Sequence, residues 1–132
     1  MPGIDETLDF IPVRIAILAV SDTRTLATDT SGATLAARIT KAGHELADRQ
    51  IVKDDPATIR QVVETWIAAP EIDVVLTTGG TGLTGRDVTP EAITPLFEKT
   101  IDGFSVIFHQ VMRAKTTQLS LQLRMSICLQ TV

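Results

Sequence analysis

DVVLTTGGTGLTGRDVTPE, residues 73–91, reads as a buried strand, a glycine-rich loop and a helix start in succession. Asp73-Val74-Val75-Leu76-Thr77-Thr78 is short, apolar and β-branched, the pattern of a parallel strand covered on both faces. Gly79, Gly80, Gly82 and Gly85 follow, and without a Cβ the backbone there can approach a ligand closely. Thr89 is placed as an N-cap, Pro90 fits the first helical position, and Glu91 suits the positive helix end. Arg86 and Asp87 stand between loop and helix. A phosphate takes cationic and N–H donors, and a divalent cation takes carboxylate, so this one segment offers groups for both.

Upstream, Arg14–Val20 (RIAILAV) is a strand that ends in the polar run Ser21-Asp22-Thr23-Arg24. That is where α/β proteins hold their ligands, past the carboxyl end of a strand. Asp29-Thr30-Ser31-Gly32 opens a helix, Ala33–Ala42 carries Leu35, Ala36 and Ile39 at helical spacing, and Gly43 stops it. A weaker strand spans Leu46–Val52. Asp54-Asp55-Pro56 then opens a second helix over Ala57–Ala68. Ile59, Val62, Val63, Trp66 and Ile67 line its apolar face, and Pro70 stops it. The order β-α-β-α-β-loop-α predicts a three-layer α/β/α fold with a mostly parallel central sheet, right-handed crossovers and helices on both faces.

Downstream, Pro90–Lys99 predicts a third helix broken near Pro95, Ile101-Asp102-Gly103 a turn, and Phe104–Met112 a fourth helix. Residues 113–132 hold no Gly or Pro and no clear period, although Gln118–Leu123 alternates as a strand would. Residues 1–12 read as an arm whose Ile4, Leu8, Phe10 and Ile11 are apolar anchors for packing on a neighbour. With no internal repeat and no low-complexity linker, a single domain over residues 1–132 is expected.

A net charge of −4 lacks the basic footprint of a nucleic-acid binder, so no nucleic-acid partner is expected. Cys128 is the only cysteine and cannot form an internal disulfide, which suits a reducing cytoplasm. The acidic start does not resemble a secretion signal, and the apolar runs are too short to span a membrane.

Gly80-x-Gly82-x-x-Gly85 matches the dinucleotide-binding spacing, but it follows the third predicted strand rather than the first, and its helix opens only near Pro90. No Gly-Lys-Ser/Thr is present to make a P-loop. Asp22, Asp29, Asp54, Asp55 and Asp87 all sit at strand ends or helix starts, where capping alone accounts for aspartate. Their interest is convergence. In a parallel sheet the ends of the three strands open on one edge, so Asp22, Asp54 and Asp87 are expected to face one crevice beside the glycine loop. Such a crevice suits a Mg²⁺ ion bridging substrate phosphates. Lys53 and Arg86 are placed for phosphate contact. His44 and His109 are not placed to activate Ser21, so a catalytic triad has no support.

Ala19-Val20-Ser21-Asp22, Asp29-x-Ser31-Gly32, Ile51-x-Lys53-Asp54, Thr77-Thr78-Gly79-Gly80-Thr81-Gly82, Arg86-Asp87-Val88-Thr89-Pro90-Glu91 and Asp102-Gly103-Phe104 occur in this order over about residues 10–110. Together they resemble the molybdenum cofactor biosynthesis family of MoaB and Mog type. The resemblance implies the molybdopterin-binding α/β fold, a homo-oligomer (a trimer, or a hexamer built from trimers), and molybdopterin as ligand. It implies adenylylation of the molybdopterin phosphate with Mg-ATP, so that Mg²⁺, ATP and molybdopterin are the cofactor and substrates. Asp54 and Asp87 match the two catalytic, metal-holding aspartates. Thr77, Thr78, Gly79, Gly80, Thr81 and Gly82 match the phosphate loop, with Ser21, Asp22, Ser31 and Gly32 on the rim and Arg86 and Glu91 beside it. From about Val111 the family pattern is no longer legible, and a frameshift or truncation is expected to account for residues 111–132. Two other readings remain: a non-catalytic oligomeric molybdopterin-binding protein, and a nucleotide-hydrolysing or nicotinamide-processing relative on the same fold.

Overall fold

A computed structural model describes residues 5–79, 88–99, 101, 103, 106, 110 and 126–129, the last four as backbone only. Strand β1 (Arg14–Val20) leads to helix α1 (Thr30–Lys41), strand β2 (Glu45–Val52), helix α2 (Pro56–Ala68) and strand β3 (Val74–Thr78). After the glycine-rich stretch come a short helix α3 (Thr89–Ile93), a 3-10 turn (Thr94–Leu96) and strand β4 (Ser126–Leu129). The break expected near Pro95 is this change from α to 3-10 geometry, and the helix expected to reach Lys99 ends at Leu96. Most of the predicted helix Phe104–Met112 and all of Gln118–Leu123 lie outside the described residues.

The strands lie in the order β2-β1-β3-β4. β1 pairs in parallel with β2 on one side and β3 on the other, and β4 runs antiparallel to β3. The sheet is thus α/β and mostly parallel, as predicted. β4 has no counterpart among the expected elements.

Alternation along β1 sorts the two faces. Ala16, Leu18 and Val20 pack with Ile59, Val63 and Trp66 of α2 and with Ala92 and Ile93 of α3. Ile15 and Ile17 pack on the other face with Ile39, Leu35 and Ala36 of α1. The chain leaves β1 in one direction and crosses back over it to β3. Helices on opposite faces therefore mean that both crossovers share one hand. Six consecutive residues of β1 are buried, Ile15 to Val20, because the strand has neighbours on both edges and helices on both faces.

Helix ends follow local chemistry. Asp29 caps α1, its Oδ1 accepting from the Gly32 N–H at 3.0 Å, and Gly43 leaves the helix at φ +89°. Asp55 caps α2 by accepting from the Thr58 N–H at 3.0 Å, with Pro56 in the first turn.

β2 is a polar strand at the edge of the described sheet, exposed or half-buried throughout, and a bulge decides where its charged residues go. The register with β1 slips between Ile15 and Ala16, so that Leu46 faces Ile15 but Asp48 faces Ala16. A slip of one residue exchanges the faces of everything beyond it. Asp48 thereby joins the α2 face, where it accepts the Trp66 indole N–H at 3.1 Å. Arg49 joins the α1 face, where its Nη2 donates to the Asp29 carbonyl at 3.1 Å and to Asp29 Oδ2 at 3.3 Å.

At the opposite, amino end of the sheet, Arg14 forks onto Asp73 with contacts of 3.0 and 2.9 Å. The arm meets the turn before β2, with Phe10 tilted against His44, whose Nδ1 accepts from the Val13 N–H at 3.1 Å. Leu8, Phe10 and Ile11 are all exposed.

Candidate functional site

The carboxyl ends of β1, β2 and β3 open on one edge, with β2 and β3 on opposite sides of β1. Strand order reverses there, which is where open α/β sheets form a ligand crevice. The turns that follow the strands are tied to one another. Ser21 extends the β1–β2 ladder, its N–H donating to the Val52 carbonyl at 2.8 Å. The Ser21 hydroxyl oxygen accepts from the N–H groups of Thr23 and Arg24 at 3.3 and 3.2 Å, folding the β1–α1 loop back on itself. Asp22 reaches across to the next turn, where its Oδ1 accepts the Asp54 N–H at 3.0 Å.

The neighbouring acids divide by task. Asp29 and Asp55 are helix caps, as simple capping propensity predicts. Hydrogen bonds from the Thr58 hydroxyl and N–H also hold the Asp55 carboxyl below the usual aspartate range. Asp22 and Asp54 cap neither α1 nor α2. They bring two carboxyl-bearing turns side by side, with Asp22 exposed and Asp54 half-buried.

On the other side of β1, Gly79 ends β3. Its φ of +87° is in the left-handed region, and a Cβ there would collide with the Val20 carbonyl oxygen. Only glycine lets the chain pass this close to the end of β1. Thr78 is half-buried beside it, while Thr77 is buried within the sheet, opposite Leu18 and Ser126. Ser31 is exposed on the first turn of α1, and Gly32 is buried beneath Asp29. Glu91 is exposed on the first turn of α3. Gly80, Thr81, Gly82, Arg86 and Asp87 lie outside the described residues, and with them the expected meeting of Asp54 and Asp87.

One expectation is corrected. Thr89 is not an N-cap: that position belongs to Val88, and no side chain caps the helix. Thr89 is fully buried, and its hydroxyl donates to the Gly79 carbonyl at 3.0 Å. A Thr-Pro pair is a good cap signature in isolation, but a tertiary acceptor ten residues back claims the hydroxyl. Sequence reading also passes over Arg49, which underpins the start of α1. Its role depends on the bulge, and no local signal marks that slip.

Among the described residues no group of three metal-ligating side chains is close enough to hold a cation alone. Asp54, half-buried just past the end of β2, carries one carboxylate on this edge, and a magnesium ion bound mainly by substrate phosphates and water needs only one or two. No helix among the described residues is long and apolar enough to cross a membrane.

Residues 16–128 match a family model described as "Probable molybdopterin binding domain". The chain is 48% identical over 103 residues to molybdenum cofactor biosynthesis protein B of Escherichia coli strain K12, covering 78% of this chain and 61% of that protein. It is 46% identical over 99 residues to the protein of the same name from Bacillus cereus, covering 75% and 59%. A crystal structure of molybdenum cofactor biosynthesis protein B superposes with a TM-score of 0.74 at 44% identity, covering 80% of this chain and 65% of the other. The chain thus spans about 60% of the length of these curated relatives.

Proposed function

The chain belongs to the molybdopterin-binding family of molybdenum cofactor biosynthesis proteins, and from that premise we propose that it binds molybdopterin at the carboxyl edge of β1 and β3 and transfers AMP to its phosphate from ATP. The observation that carries this reading is the Asp22–Asp54 link beside the close approach of Gly79 to Val20. Two acid-bearing turns and a glycine backbone share one edge, the combination a phosphoryl-group reaction needs.

In this mechanism the pterin phosphate is oriented by backbone N–H groups of the glycine stretch, with Ser31 and Ser21 on the rim. A phosphate oxygen attacks the α-phosphorus of ATP, the bond from that phosphorus to the bridging oxygen breaks, and pyrophosphate leaves. Magnesium, when bound, offsets the negative charge on the reacting phosphates. Asp54 and Asp87 would hold it, and Asp22 fixes the turn that carries Asp54. Arg86 and Lys53 add positive charge around the phosphates. No protein nucleophile takes part. The exposed apolar arm, Leu8, Phe10 and Ile11, supports assembly as a homo-oligomer, a trimer or hexamer.

The test is incubation of the pure protein with molybdopterin, ATP and Mg²⁺. Adenylylated pterin with one pyrophosphate per transfer is the expected result. Tight molybdopterin binding without product would make it a non-catalytic carrier. Pyrophosphate release that does not need the pterin would point to a nucleotide-hydrolysing relative.

A further inference from the structure

We infer that Thr89 is a positioning residue for the crevice: its buried hydroxyl fixes the Gly79 peptide against the end of β1 and so sets the direction in which the chain leaves that strand end. This rests on the molybdopterin reading above. Three observations carry it. The hydroxyl is not spent on the helix it begins, because α3 starts at Val88 without a side-chain cap. It is fully buried and donates to the Gly79 carbonyl at 3.0 Å, across ten residues of sequence. Gly79 itself sits where even a methyl group would strike the Val20 carbonyl.

The physical consequence follows from peptide planarity. Fixing the direction of a carbonyl fixes the plane of its peptide, and hence the direction in which the chain leaves Gly79. Val20 blocks movement on one side, and the Thr89 hydroxyl sets rotation on the other. Thr89 is in turn anchored to the core. Ala92 and Ile93, on the same short helix, are buried against α2, and Arg60 Nε donates to the Ala92 carbonyl at 3.4 Å. Gly79 is thus referenced to two elements, β1 and α3, rather than to the end of β3 alone. An anion held by backbone N–H groups is sensitive to such referencing, because donors that are already aimed cost no reorganisation on binding.

Thr89→Val keeps the shape and removes the hydroxyl; Thr89→Ser keeps the hydroxyl. Molybdopterin titration is expected to show affinity about tenfold weaker for Thr89→Val and within about threefold of wild type for Thr89→Ser. Asp73→Asn, at the far end of the sheet, controls for stability: it is expected to lower the melting temperature without weakening binding. The backbone carbonyl-carbon resonance of Gly79, the acceptor itself, provides a readout that needs no ligand. It is expected to move in Thr89→Val and to return in Thr89→Ser. Wild-type affinity in Thr89→Val, equal losses in both variants, or a Gly79 resonance unmoved by Thr89→Val would each overturn the inference. Failure of the wild-type protein to bind molybdopterin would overturn the functional reading instead, and the Gly79 resonance would still decide the role of Thr89.

Discussion

The backbone N–H of Asp54 donates to the carboxylate of Asp22 at 3.0 Å, joining two turns that are 32 residues apart in sequence. The bond makes the end of β1 a support for the end of β2. It also separates two roles that aspartate could play there. Asn at position 22 keeps the acceptor oxygen and loses the charge; Ala loses both. Asp22→Ala is therefore expected to weaken molybdopterin binding about tenfold, the equivalent of one hydrogen bond involving a charged group, and Asp22→Asn by less than about threefold. Titration calorimetry on the two variants measures the difference. Equal losses would mean that the charge matters and the bond does not.

Asp54→Asn and Asp87→Asn are expected to lower the rate of AMP transfer roughly a hundredfold or more, on the scale of removing one group that stabilises charge in a transition state. Molybdopterin affinity should stay within about threefold. Product formation followed by chromatography, beside a binding titration, separates the two effects. Wild-type turnover in either variant removes that residue from the mechanism.

Gly79→Ala combines a left-handed backbone with a Cβ driven into the Val20 carbonyl. The expected loss of stability is about 3 kcal/mol or more, larger than backbone strain alone because the chain must also move away from β1. Urea unfolding followed by the fluorescence of Trp66, the single tryptophan, reports it directly.

Asp73 is the clearest acid-sensitive group. Its hydrogen bonds with the Arg14 guanidinium and N–H hold its pKa at about 2, below the ordinary aspartate value of 3.8. A carboxyl whose pKa is lowered by folding stabilises the protein fully above its unfolded pKa, and that contribution fades as pH falls toward the folded value. The urea midpoint of the wild type should therefore fall as pH drops from about 4 to about 2, and Asp73→Asn should show a shallower fall over that window. Parallel curves for the two proteins would refute this assignment.

Arg49→Met removes the partner of Asp29, a carboxylate only 4% exposed. Leaving that charge buried is expected to cost about 3 kcal/mol, and the start of α1 should loosen with it. Asp29→Asn in the same background should recover part of the loss, since it removes the unpaired charge and keeps an acceptor for Gly32. A denaturation cycle over the single and double variants checks the coupling.

The framework of this fold was legible because its signals are local. β1 announces itself by seven residues without a break, α1 by Asp29 before it and Gly43 after it, and α2 by Asp55-Pro56. The expected strands and first two helices match the structure to within a few residues at each end. Signals that depend on distant partners were not legible. Thr89 reads as a cap from its neighbours and is a tie to Gly79 only in three dimensions. The bulge between Leu46 and Asp48 cannot be seen in the residues it displaces, yet it decides that Asp48 meets Trp66 and Arg49 meets Asp29. β4 is a run of only four residues, Ser126–Leu129, too short to stand out from the polar tail around it. The meeting of Asp22 with Asp54 was legible in outline, because strand order alone brings those turns together. Who donates to whom was not.

β1 touches every other layer: two strands along its edges and a helix over each face. Any residue at its carboxyl end inherits a rigid datum, while the turns around it are held chiefly by side-chain bonds such as Asp22 to Asp54 rather than by the sheet ladder. Substitutions confined to those side chains can therefore reshape the crevice while the foundation stays untouched.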